Sequence, residues 1–417
     1  MTSRARTTVG ALLSVVVLCI AAVPVSSASA ATAHTAFARW TSTSDFAQGT
    51  STGLAAATDS VTIGSGTSTT TYDDPHVSGG AKTYDRGIWT SPWQSTGFDA
   101  RSLVPSWSID VPGGSFARVD VRVRNSRTTG SWDSVARWAL SVSRVVRSSN
   151  SSQTDDLARL ATDTIVASSG QTFDAWQVRV QLLRPHHSTD KPTLYAVNGT
   201  AATYLTTSAS TSATTMTTSH ELAVPKSSQM NHKGEFPQWG GGGEAWCSPT
   251  STAMVMRYFG KGPSKASYSW AKNADGFVDH AARYTFDTRY DGTGNWPFNT
   301  AYAAHYSLDS FVTRLASLRD AEAFIKAGIP LVASIAFAKG GLDGAPISST
   351  PGHLLVIVGF TKSGRVIAND PAAASNSSVR RIYSRAQFEK AWLGGSGGVV
   401  YVIHPTSKPL PAGSTRW

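Results

Sequence analysis

Four glycines, Gly240–Gly243, lead to Cys247, and Ser248-Pro249-Thr250 follow it ahead of a run that ends at Gly260. Ser248 can cap a helix, Pro249 fits its first turn and Gly260 its end, so the spacing predicts a helix that starts at the thiol. A sulfur in that position faces unpaired backbone N–H groups and the positive end of the helix dipole. Both favour the thiolate, and both can hold an oxyanion. The glycine run would let another backbone come close. A cysteine that only fills a core needs none of these features.

A thiolate that attacks a carbonyl also needs a base. His353 opens the apolar run Leu354–Val358 directly after Pro351-Gly352, where a turn can hold its ring at the edge of a cleft. Asp370 closes the next strand, in Asn369-Asp370-Pro371. A hairpin of that length can bring the carboxylate beside the imidazole, fixing its tautomer and stabilising the imidazolium. The plainer alternatives are a strand-end histidine bonded to backbone and a turn-forming Asp-Pro. The remaining histidines fit structural positions: His186-His187 in a turn, His305 on a helix, His404 at a strand end. With no His-Glu-x-x-His motif and no cysteine at metal spacing, neither a metal nor another cofactor is expected. Trp239, Trp246 and Trp296 fit either a groove lining or core packing.

These residues need elements to position them, and the chain divides into parts that differ in character. Arg4 and Arg6, an apolar run from Val9 to Val25 and Ala28-Ser29-Ala30 read as a signal peptide over residues 1–30. Cys19 would leave with it, so Cys247 would be the one thiol of an exported chain, with no disulfide partner. Residues 36–205 show strict alternation in Ala117–Arg124 and Trp176–Leu182, and the same period at Trp107 and Ile109. That is the pattern of half-buried strands, and it predicts an all-β antiparallel sandwich of jelly-roll type. Residues 206–220 are mostly threonine, serine and alanine, without periodicity, and read as a linker. From 221 to 417 helix and strand signals mix. Ser317 to Asp320 resembles a capping box, Gly328 suits a C-cap, and the strand Leu331–Phe337 follows Pro330. Ser384 to Leu393 reads as a helix opened by Ser384, so this half is α+β. The two halves differ enough that the second is expected to fold by itself.

Val224-Pro225 with Ser228-Gln229, then Cys247-Ser248-Pro249-Thr250-Ser251, Gly352-His353 and Asn369-Asp370-Pro371 together resemble the C39-like cysteine peptidases, over Leu222 to Pro405. The resemblance implies a papain-like fold, with Gln229 and the Cys247 N–H as the oxyanion hole. Many members have glycine where this chain has Ser248. Gln229 lies farther from Cys247 than the family spacing, and Gln238 is the competing glutamine; the Val-Pro context favours Gln229.

The leading expectation is an exported peptidase that cuts peptide bonds through a Cys247 thioester, with His353 as acid and base. The same residues would serve a cell-wall amide hydrolase or an acyl transferase, and a non-catalytic envelope-binding protein is the third reading. The net charge of +10 suits retention at an anionic envelope. Its lysines and arginines are scattered rather than clustered with aromatics, which disfavours nucleic acid. No stretch after the leader is apolar enough to span a bilayer. The expected partner is a peptide or protein, cell-wall peptide included.

Overall fold

The computed structural model describes residues 33–417 except 151, 152, 155, 209 and 273. The leader expected over residues 1–30 lies outside the described residues. Among these residues no helix is long and apolar enough to cross a membrane.

Alternation shapes the first half as expected. Its strands include β1 (Ser102–Asp110), β2 (Phe116–Arg124), β3 (Ala158–Ala161), β4 (Thr164–Ala167), β5 (Phe173–Pro185) and β6 (Thr193–Ala202). One antiparallel sheet runs β3-β4-β1-β6 and continues into Ser60–Ile63 and Leu54–Ala57, with Thr35–Trp40 also on β6. A second is centred on β2, β5 and Lys82–Thr90. The sheets stack through aromatics: Trp40, beside β6, meets Trp89 and Trp176 of the other sheet edge-on at 5.6 Å each. Gly199 on β6 lies directly against the Trp176 ring, where any Cβ would clash.

β1 departs from the half-buried pattern. All of it but Asp110 is buried. Trp107 and Ile109 face apolar neighbours, while the opposite side carries small polar residues that meet the second half. The Ser106 hydroxyl accepts from the Val312 N–H at 3.1 Å, and the Thr200 hydroxyl donates to the Val312 carbonyl at 2.9 Å. Phe298 of the second half seats its ring against Trp107 and Trp138. The halves therefore share one hydrophobic cluster and form a single unit, Ala33–Trp417.

The second half contributes helices α1 (Cys247–Tyr258), α2 (Gly276–Thr285), α3 (Trp296–His305), α4 (Leu318–Lys326) and α5 (Arg385–Ser396). Its strands are β7 (Asp309–Arg314), β8 (Leu331–Phe337), β9 (Thr350–Phe360), β10 (Val366–Asn369), β11 (Arg380–Tyr383) and β12 (Val399–His404). They form an antiparallel sheet in the order β7-β12-β8-β9-β10-β11, with His220–Glu221 beside β9. The α4 signals read correctly, since Ser317 caps the helix by accepting from the Arg319 N–H and Gly328 stops it at φ 74°. Ser384 precedes α5 but makes no capping bond.

Residues 206–220 are not the free linker that their composition suggests. The Glu322 carboxylate on α4 accepts from the Thr214 hydroxyl (2.7 Å), the Thr215 N–H (2.7 Å) and the Arg385 guanidinium (2.6 Å). Arg385 donates onward to the Ser212 carbonyl at 2.6 Å, and Glu389 accepts from the Ser212 N–H at 2.7 Å. The segment is a strap bound across α4 and α5.

Candidate active site

Helix α1 starts at Cys247, but not by the expected cap. Trp246 occupies the cap position without a side-chain bond, and its indole donates to the Trp239 carbonyl at 2.7 Å. Ser248 does not cap the helix; its hydroxyl is turned inward to share a hydrogen bond with the Tyr401 hydroxyl at 2.9 Å. Burial holds this end instead, for Ser248 to Met256 are all buried. Cys247 itself is half-buried and unpaired. As the first helical residue it keeps an N–H with no intrahelical acceptor.

β9 packs against α1, where the Ser251 hydroxyl donates to the Leu354 carbonyl at 3.2 Å. That contact sets His353 beside the thiol. β10 pairs with β9, Asn369 opposite Val356, and delivers Asp370 one residue later. His353 Nε2 lies 2.8 Å from Asp370 Oδ1, which leaves Nδ1 for the sulfur. Asp370 also accepts from the Tyr383 hydroxyl at 2.7 Å and the Ala372 N–H at 3.1 Å. Tyr383 was not singled out from sequence, since β11 comes to Asp370 only through strand pairing.

The charges in this trio support one another. Burial works against ionised Asp370, but the His353 charge and the hydrogen bonds from His353, Tyr383 and Ala372 hold its carboxyl below the usual range. Burial likewise pulls His353 down, and the Asp370 carboxylate with the Cys247 sulfur pushes it up to about 10. At Cys247 burial raises the thiol, while the hydrogen bond and charge of His353 and the Leu354 N–H bring it below its ordinary value. Thiolate and imidazolium therefore coexist from the lowered thiol value up to about pH 10.

Gln229 opens a short helical turn, Gln229–His232, and is buried. Its backbone N–H donates to the Pro371 carbonyl at 2.9 Å and its side-chain amide to the Glu244 carbonyl at 2.5 Å. It is thus anchored to the segments that follow Asp370 and precede Cys247, and it lines one cleft with Cys247 and His353. An amide nitrogen carries two hydrogens, and the bond to Glu244 uses one of them. Gln238 lines a different cavity, beside Trp239 and His280.

The cleft has a volume of about 780 Å³. One wall is the β3–β4 hairpin of the first half, a contribution that nothing local in the sequence announced. Its Asp163 accepts from the Trp296 N–H at the start of α3 at 2.9 Å and from the Thr164 hydroxyl at 3.0 Å. Burial pushes its carboxyl up to about 6. Arg314 is buried at the cleft, and its guanidinium is held by the carbonyls of Leu205 and Ser396. Of the three tryptophans weighed as groove residues, Trp296 lines the cleft, Trp246 is buried and Trp239 borders the other cavity.

Residues 36–202 match the family model described as the peptidase C39 N-terminal domain, and residues 221–398 match the Peptidase_C39 like family. No curated protein matches the chain. A solved structure described as a C39-like peptidase from Bacillus anthracis is 16% identical, over 44% of this chain and 96% of that one, with a TM-score of 0.29. The two family matches divide at the strap, and by them the chain belongs to the C39-like peptidase family in a two-domain form.

Proposed function

We propose that the protein is a cysteine peptidase of papain-like mechanism, acting on peptides or proteins outside the cytoplasm. The observation that carries this reading is the line formed by Asp370, His353 and the Cys247 sulfur at a helix start, open to a cleft. The Cys247 thiolate attacks the scissile carbonyl. The Cys247 N–H and the second amide hydrogen of Gln229 receive the oxyanion. His353 gives its Nδ1 proton to the leaving amine, the tetrahedral adduct collapses to a thioester, and His353 then takes a proton from the water that hydrolyses it. Asp370 keeps the imidazole in one orientation throughout and is not itself protonated. The leader read in residues 1–30 supports export.

The test is to incubate the chain lacking its leader, beside a Cys247→Ala control, with a peptide library and with purified cell wall. Products are identified by mass spectrometry. Cleaved peptides that disappear in the control support the reading. Release of cell-wall fragments alone would assign an amide hydrolase, and no thiol-dependent product from either substrate would overturn catalysis at Cys247.

A further inference from the structure

The turn that carries Gln229 also carries His232, with Glu235 three residues on, and Asp279 of α2 faces them. His232 and Asp279 are fully buried, while the Glu235 side chain keeps 18% of its surface in solvent. His232 Nδ1 is 3.2 Å from Glu235 Oε2 and 3.2 Å from Asp279 Oδ2, and one donor atom from each residue lies within 4.8 Å of the other two.

A hydrogen bond alone accounts poorly for this trio. One Nδ1–H can point at only one of the two carboxylates. Apart from His232 Nδ1 at 3.2 Å and the neighbouring Glu235 carboxyl, neither oxygen of Asp279 has a partner among the described residues. A buried carboxylate left that way costs several kcal/mol, and a second carboxylate beside it adds repulsion. A divalent cation at the centre would balance both charges, use the Nδ1 lone pair and bind both carboxylates at once. Ligand bonds of about 2.0–2.2 Å in a tetrahedron separate neighbouring donors by roughly 3.3–3.6 Å. The two 3.2 Å separations are close to that spacing. One imidazole with two carboxylates suits zinc, whereas calcium takes six to eight oxygens.

We propose that His232, Glu235 and Asp279 form a zinc site that ties the Gln229 turn to helix α2. The turn is already close-packed against the approach to Cys247, since a Cβ at Gly243 would collide with the His232 carbonyl. A metal at His232 would therefore brace both the turn that bears Gln229 and the chain that enters α1. Zinc binding does not depend on the peptidase reading, and the readouts below do not include turnover.

The probe is Zn²⁺ alone, given to the Cys247→Ala chain after dialysis against EDTA, so that the active-site thiol cannot act as the ligand. Metal retained after gel filtration is counted by atomic emission, and melting is followed with and without zinc. The expected result is one zinc per chain, a rise in melting temperature, and loss of both in Asp279→Asn. Glu235→Gln, at a partly solvated side chain, should lose the metal while keeping the apo melting temperature, so loss by misfolding is recognised. Cobalt in place of zinc should give tetrahedral visible bands in the wild-type chain without a thiolate charge-transfer band. No retained zinc, or equal retention by both variants, would overturn the site.

Discussion

Replacing Asp370 by asparagine should uncouple the nucleophile from its base at neutral pH while leaving the site's shape intact. Asparagine can accept from His353 and Ala372 through its oxygen and donate to the Tyr383 hydroxyl, so the 2.8 Å and 2.7 Å contacts can persist without the charge. At an effective dielectric of about 20, unit charges 2.8 Å apart attract by about 6 kcal/mol. At about 1.4 kcal/mol per tenfold step, that is about four steps in the proton affinity of His353. Burial already pulls His353 down, and without Asp370 it falls from about 10 to neutrality or below. Cys247 then loses its cationic neighbour and its thiol rises. In the wild type the raised His353 stays charged until the pH passes about 10, and the lowered Cys247 is ionised above its own value, so the reactive pair fills that window. The assay is the second-order rate of iodoacetamide alkylation across pH, read by mass spectrometry. Wild type should react on a plateau that begins below the ordinary thiol range, and the variant should be slower by roughly tenfold or more on that plateau, the two approaching each other only in the alkaline range where a free thiol ionises unaided. Superimposable profiles would refute the claim that Asp370 keeps His353 charged.

Gln229→Ala should lower turnover by about a hundredfold while leaving alkylation of Cys247 unchanged, because an oxyanion donor acts mainly in the transition state. Gln238→Ala, in the other cavity, should cost under about tenfold; the reverse order would move the oxyanion role to Gln238. Phe298→Ala should destabilise the whole chain by about 3–5 kcal/mol, since the ring is fully buried against Trp107 and Trp138. Denaturant unfolding should shift as one transition, and a shift confined to one of two transitions would contradict a shared core.

What the sequence made legible was local. The alternation in Ala117–Arg124 gave β2, Ser317 and Gly328 bounded α4, and the helix start at Cys247, the apolar run after His353 and the strand end before Asp370 marked three residues that the sheet brings together, although the strand of His353 begins earlier, at Thr350, so that Pro351 and Gly352 belong to it rather than to a turn. What escaped depends on distant partners. β1 reads as half-buried because its polar face is made of serines; only its contact with Val312 shows that this face is covered. Residues 206–220 read as unstructured because the carboxylates that hold them, Glu322 and Glu389, stand more than a hundred residues on. Tyr383, the Asp163 hairpin and the Asp279 partner of His232 carry no local signature either. Ser248 departs from the capping role for a related reason. A hydroxyl that can cap a helix is equally suited to Tyr401, and burial decided between them.

The strap changes how the chain meets other proteases. An extended threonine–serine segment between two domains is ordinarily the first place to be nicked, because a protease needs several residues it can pull free into its own cleft. Here Ser212, Thr214 and Thr215 are fastened at both backbone and side chain to α4 and α5. Freeing them would break several charge-assisted bonds and leave the buried Glu322 carboxylate with Arg385 alone, so cutting there is limited by how rarely the segment opens. Part of the join that composition marks as the weakest point is thereby held as the helices beneath it are, and a protease is steered away from Ser212 to Thr215.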